Sequence, residues 1–196
     1  ISNNETLSDV KGTRSVYNNS RELKLGITPF TGVENENSPV MRILNFLNGQ
    51  EFVDFLRNLT SIEDLSADPT FLGAGVHMIP PGGKLGIHID FSRHPSLAKS
   101  YRRCNVLLYL NKNWEEEYGG ALELWSDRPK AGGKCIKKVY PIFNTLIIFG
   151  TAKNSWHGHP SPLNTPEGVF RKSLATYYYS SNPGNDLEDH STIFAE

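Results

Sequence analysis

The sequence predicts an α+β, mainly β fold: an antiparallel jelly roll or barrel with helices packed outside. Three observations carry that prediction. Apolar residues recur at helical spacing between residues 38 and 60. Beyond Asp68-Pro69 the pattern changes to about eight short runs separated by Gly, Pro and Asn. One of those runs, 105–111, alternates cleanly: Val106, Leu108 and Leu110 on one face, Asn105, Leu107, Tyr109 and Asn111 on the other.

Residues 1–37 are polar and Asn-rich apart from an apolar patch at 23–30, and read as an arm contributing at most an edge strand. Ser38-Pro39 then supplies an N-cap followed by Pro at the first helical position. Val40, Ile43, Leu44 and Leu47 follow at i, i+3, i+4 and i+7, and Gly49 suits the position just past the helix. Phe52, Phe55, Leu56 and Leu59 repeat the stripe, so 38–60 is expected to be helical. Strands are expected at 72–79, 85–90, 105–111, 121–125, 134–140, 145–149, 154–159 and 170–179. The unbroken apolar run 145–149 reads as a strand buried on both sides. Residues 183–196 are polar and acidic and read as a loose tail. The chain, 1–196, is thus expected to form one domain with its β core in 70–181.

Composition speaks against two classes of partner. A formal net charge of −1 and a pI near 6.7 give no basic surplus for nucleic acid or an anionic membrane surface. No apolar run approaches a membrane span and the start does not resemble a signal peptide, so the default location is cytoplasmic. Two cysteines, Cys104 and Cys135, allow no disulfide framework.

His88-Ile89-Asp90 is the stretch with chemical promise. Residues two apart on a strand share a face, so an imidazole nitrogen and a carboxylate oxygen can aim at one point. A second His from another strand would complete a facial triad for Fe(II), leaving positions open for a co-substrate and O2. Ser155-Trp156-His157-Gly158-His159-Pro160 offers that His. His157 and His159, two residues apart, share a face and compete for the role, and Pro160 would interrupt a strand directly after His159. Arg171 and Ser173 share a strand face as well, and a hairpin between these last two strands would put Arg171 in the same interior as His157. A fixed guanidinium beside a metal suits a small dianion that chelates at one end and is gripped at the other, the demands of 2-oxoglutarate.

The ordered set His88-x-Asp90, Arg103-Cys104, Tyr109-Leu110-Asn111-x-x-Trp114, Gly119-Gly120-x-Leu122, Pro141-x-x-Asn144, Phe149, His157-Gly158 and Arg171-x-Ser173 resembles the Fe(II)- and 2-oxoglutarate-dependent dioxygenases, in their prolyl 4-hydroxylase-like branch. The resemblance runs from about residue 70 to 181. It implies a double-stranded β-helix, with His88, Asp90 and His157 as iron ligands. It implies Arg171 on the distal carboxylate of 2-oxoglutarate, helped by Tyr109 and Ser173. The implied reaction is hydroxylation with release of succinate and CO2, first of a prolyl residue in a peptide or protein. Some relatives carry an aromatic residue upstream of the first ligand, where Met78 stands here with His77 beside it. A halogenating relative would lack the carboxylate at Asp90, so its presence favours hydroxylation. A 2-oxoglutarate oxygenase acting on a free amino acid or other small molecule is the alternative. A binding module on the same fold, or a metalloenzyme without 2-oxoglutarate, would need no such ordered set.

Four further expectations complete the reading. Glu115-Glu116-Glu117 is a solvated loop and Gly119-Gly120 a backbone device without chemistry of its own. His77, His94 and His190 have no assigned role. The segment 91–101 leaves the iron site without strand periodicity and is expected to be a mobile lid over an extended peptide.

Overall fold

The computed structural model describes residues 10–29, 38–184 and 189–195. Two helices come first: α1 (Pro39–Asn48) and α2 (Gln50–Thr60). Ser38 stands at the N-cap of α1 without a capping hydrogen bond from its side chain. Gly49 joins the helices in extended backbone (φ −72°, ψ 156°), not the left-handed turn that a C-terminal glycine usually makes. The two apolar stripes are packing faces. Val40, Met41 and Leu44 meet Val76 and Leu174, while Leu47, Phe52, Val53 and Leu56 meet Cys104, Val106 and Tyr178. Leu44 and Leu56 are fully buried, each worth roughly 1.5–3 kcal/mol of transfer free energy.

The helices cover one face of a seven-stranded antiparallel sheet. Its strands are β1 (Gly12–Asn18), β2 (Leu23–Pro29), β3 (Ser66–Ala67), β4 (Gly75–Ile79), β6 (Tyr101–Tyr109), β9 (Leu146–Gly150) and β11 (Arg171–Ser180). They run in the order β1-β2-β4-β11-β6-β9, with β3 pairing β11 off that path. A second sheet holds β5 (Leu85–Ile89), β7 (Leu122–Trp125), β8 (Cys135–Val139), β10 (His157–His159) and β12 (Ile193–Phe194), in the order β12-β5-β10-β7-β8. The fold is mainly β with its helices outside, and it is the double-stranded β-helix that the family resemblance implied. Among the described residues no helix is long and apolar enough to cross a membrane.

Four expectations need correction. The N-terminal arm supplies two strands, not at most one: β1 and β2 form a hairpin that extends the large sheet through β2–β4 pairing. The final segment is not a loose tail throughout, because Ile193 and Phe194 pair with Ile89 and His88 of β5. Asp186 and Glu188 of that segment lie outside the described residues. β9 is packed on both faces but only in part: among the described residues it is the sheet's edge, paired to β6 alone, and Leu146 is 39% exposed. Its unbroken apolar run arises because Ile147 and Phe149 pack with inward-facing groups while Ile148 packs under the helices. Finally, β10 and β11 form no hairpin, since they lie in different sheets. His157 and Arg171 nevertheless meet, because both line the space between the sheets.

Candidate active site

That space is a cavity of about 310 Å³, lined from both sheets. β5 and β10 are neighbours in the smaller sheet with His157 directly opposite His88, so the two imidazoles stand side by side with centroids 4.4 Å apart. Asp90 follows β5. The His88 Nε2–Asp90 Oδ1 and His157 Nε2–Asp90 Oδ2 distances are 3.5 and 3.4 Å. One donor atom from each of the three lies within 4.8 Å of the others, close enough to hold one metal ion. Both rings are oriented from behind: His88 Nδ1 donates to the Gly86 carbonyl (2.8 Å) and His157 Nδ1 to that of Ser155 (2.7 Å). A carbonyl only accepts, so in the neutral ring Nε2 keeps its lone pair for a metal. Gly158 permits this approach of strands, since a Cβ there would come within 2.7 Å of the Gly86 oxygen.

Asp90 is positioned by two residues absent from the sequence-based site. Asn105 Nδ2 donates to its Oδ2 (2.7 Å) and Arg102 Nη2 pairs with the same oxygen (3.0 Å). Arg102 Nε donates to Asn105 Oδ1 (2.8 Å), and its guanidinium lies 3.5 Å over the Tyr177 ring. Burial alone would raise the Asp90 pKa, but Arg102 and the two imidazoles hold it well below the usual carboxylate range. Burial, and then the neighbouring His157, push His88 below the ordinary histidine value.

Across the cavity Arg171 is 4% exposed, and among the described residues no carboxylate lies within 4 Å of it. It is fixed by Nε to the Gly120 carbonyl (2.8 Å) and Nη2 to the Tyr109 hydroxyl (2.9 Å). Gly120 has φ +70°, and a Cβ there would meet Leu163 at 2.6 Å. Trp114 Nε1 in turn donates to the Gly119 carbonyl (3.1 Å), so the glycine pair and its indole brace exist to aim the guanidinium. Tyr109 is fully buried and touches Arg171 from behind, without lining the cavity; Ser173 does line it. Register puts Ser173 on the inward face, between His77 on one side and Tyr109 on the other.

The same register settles the upstream position. Met78 packs on the helix side, while His77 lines the cavity and donates Nε2 to the Gly73 carbonyl (3.0 Å). Burial, then the Lys24 charge, lower its pKa to about 3. His159 lines the cavity too, 3% exposed, and neither ring nitrogen has a hydrogen-bond partner among the described residues.

The expected lid is corrected. Of the segment 91–101 only Phe91 lines the cavity. His94 is buried, and its Nδ1 accepts from the backbone N–H groups of Ser96 (3.1 Å) and Leu97 (3.0 Å). Its Nε2 lies 3.4 Å from Asp68 Oδ2, which pins the turn to the body of the fold. The cavity walls come instead from the N-terminal hairpin (Tyr17, Glu22, Lys24) and from Thr192 and Phe194 near the other end.

Two imidazoles and a carboxylate converging inside a jelly roll, opposite a buried guanidinium without an acid, define the class of mononuclear iron enzymes that take an acidic co-substrate. The family model described as the 2OG-Fe(II) oxygenase superfamily matches residues 74–179, and the chain belongs to that superfamily. It is a 2-oxoglutarate-dependent dioxygenase using Fe(II), 2-oxoglutarate and O2. No curated protein matches the chain. Among solved structures it is similar to a Pseudomonas putida prolyl-4-hydroxylase, with TM-score 0.55 and 16% identity over 85% of this chain and 77% of that one. It is also similar to the viral collagen prolyl hydroxylase of Paramecium Bursaria Chlorella virus-1 in its 2OG complex (TM-score 0.52, 19% identity, 82% and 80% covered). A third is a Trichoplax adhaerens prolyl hydroxylase in complex with a hypoxia inducible factor peptide fragment (TM-score 0.50, 18% identity, 89% and 66% covered).

Proposed function

We propose that the protein hydroxylates a prolyl residue of a peptide or protein, with His88, Asp90 and His157 as the iron ligands. In this reading Arg171 and Ser173 bind the distal carboxylate of 2-oxoglutarate, and Tyr109 positions Arg171. The carrying observation is the isolated Arg171 guanidinium: a buried cation is costly without an anion, and a dianionic co-substrate supplies one. When bound, iron and 2-oxoglutarate supply the oxidising chemistry: one O2 oxygen ends in succinate and the other in the product hydroxyl, with loss of CO2. The chain's part is to hold Asp90 ionised through Arg102 and Asn105, to keep the Nε2 lone pairs aimed inward, and to wall off water. The prolyl substrate is supported by the similar hydroxylases, one of which was solved with a peptide bound.

A free amino acid is the second reading. Lys24 and Glu22 stand two residues apart on β2 and its flank, both lining the cavity, and are not ion-paired within 4 Å among the described residues. Separated opposite charges complement a zwitterion. Anaerobic Fe(II) with 2-oxoglutarate should give a weak visible charge-transfer band, and a turnover screen of proline-containing peptides against free amino acids separates the substrates. Arg171→Ala should weaken 2-oxoglutarate strongly, since truncating one partner of a buried charge pair costs on the order of 2–5 kcal/mol. No band from folded, iron-loaded protein sinks the oxygenase assignment of this site.

A further inference from the structure

Among the described residues, the iron triad and the Arg171 anchor leave one buried polar side chain in the cavity without a hydrogen-bond partner. His159 follows His157 by two residues on β10, 3% exposed, and neither ring nitrogen has a partner among the described residues. Burying an imidazole without a hydrogen bond costs free energy, so the position calls for a polar occupant of the cavity beside it. Its surroundings say which kind. Arg171 lines the same cavity, and its positive charge acts on the ring together with that of Lys24. Two strand residues span about 6.6 Å, which sets His159 away from the metal donors by a length comparable to an extended five-carbon diacid. A co-substrate chelated at the metal would present its far end at such a distance, and Arg171 and Ser173 line the same cavity.

We infer that His159 is a binding residue for 2-oxoglutarate, donating one ring N–H to the distal carboxylate beside Arg171 and Ser173. The inference rests on the proposed site. It assigns His159 a role distinct from the ligand role for which it competes with His157 on sequence grounds. The strands themselves support the separation: His157 lies directly opposite His88, whereas a register shift places His159 opposite Leu85. A neutral imidazole suffices, because the guanidinium already supplies the positive charge and the ring adds direction.

The test measures binding and not turnover. Fe(II)-loaded wild-type, His159→Leu and His159→Gln proteins are titrated anaerobically with 2-oxoglutarate and with 2-oxopentanoate, following the charge-transfer band. 2-Oxopentanoate keeps the chelating end and replaces the distal carboxylate by a methyl group. His159→Leu should raise the Kd for 2-oxoglutarate about tenfold to a hundredfold, the range for one hydrogen bond to a charged group. It should leave 2-oxopentanoate within twofold and iron stoichiometry unchanged, and His159→Gln, which keeps an N–H donor, should recover part of the loss. Equal weakening of both acids, or no change in either, overturns the inference while the oxygenase site stands. Loss of iron from His159→Leu overturns it in favour of a ligand role. A wild-type protein that forms no band with 2-oxoglutarate overturns the proposed site itself, and this inference with it.

Discussion

At the scale of single residues, the convergence of the three proposed donors was legible and their supports were not. His88-x-Asp90 and His157 need only the two-residue period of a strand to be seen as convergent, and the structure brings all three within 4.8 Å. Arg102 escaped because alternation counted back from Tyr109 through Leu107 and Asn105 points Arg103 inward. A bulge defeats that count: Tyr178 pairs with Cys104 but Tyr179 pairs with Arg102, so Arg103 is the extra residue and Arg102 turns to Asp90. Arg103 instead reaches outward to Ser180 and Asn182. The support makes a prediction. Arg102→Met removes the cation that keeps Asp90 ionised while preserving much of the packing on Tyr177 and Phe91. Metal affinity should fall about 10–100-fold, as for loss of other partners behind metal ligands. Competition with a chromophoric chelator measures it, and unchanged affinity would show that Asn105 alone holds the carboxylate.

Elements divided by whether their pattern lay within one run of sequence. Both helices were readable because each stripe is local, and every core strand between 75 and 180 was found to within a few residues. The N-terminal hairpin was hidden because β1 is mostly exposed, with Val16 at 69%, and so shows no apolar face. β12 is two residues long and is a strand only because the edge of β5 receives it. The supposed lid failed through a histidine with no visible partner in sequence: His94 finds Asp68 from the far side of the iron strand. Since its Nδ1 accepts two backbone N–H groups, Nε2 carries the proton toward Asp68 and Thr70. His94→Ala would leave those two backbone donors unpaired and remove the ring from the buried Asp68, whose carboxylate keeps Thr70 and Leu72 as donors. The expected cost is about 1–3 kcal/mol in urea unfolding, with faster proteolysis in 95–100 and an unaltered Kd for 2-oxoglutarate. A changed Kd with unchanged stability would restore a role for this turn at the site.

On the scale of the whole molecule, a near-neutral chain conceals an uneven interior. A net charge of −1 gives no hint that Lys24, Arg102 and Arg171 face Glu22 and Asp90 across one cavity. Composition averages over the surface, whereas the two sheets sort charges by strand face. The same sorting buries titratable rings, and that has a consequence for stability. Burial first, and then neighbouring groups (Lys24 for His77, His157 for His88, Arg171 for His159), lower the pKa values of these rings below the ordinary value of 6.5, with His77 at about 3. The unfolded chain therefore binds more protons than the folded one once the pH drops below about 6.5, so metal-free protein should lose stability as the pH falls toward 4. Asp90 acts in a lower window. Its folded pKa lies below the unfolded value of 3.8, so its contribution persists until the pH falls below that value, and the loss above pH 4 belongs to the histidines. Urea midpoints of metal-free protein between pH 7.5 and 4.5 should fall steadily, and His77→Gln should make the decline shallower by up to one proton's slope. A flat profile across that range would mean that the cavity admits enough water to charge these rings in the folded state.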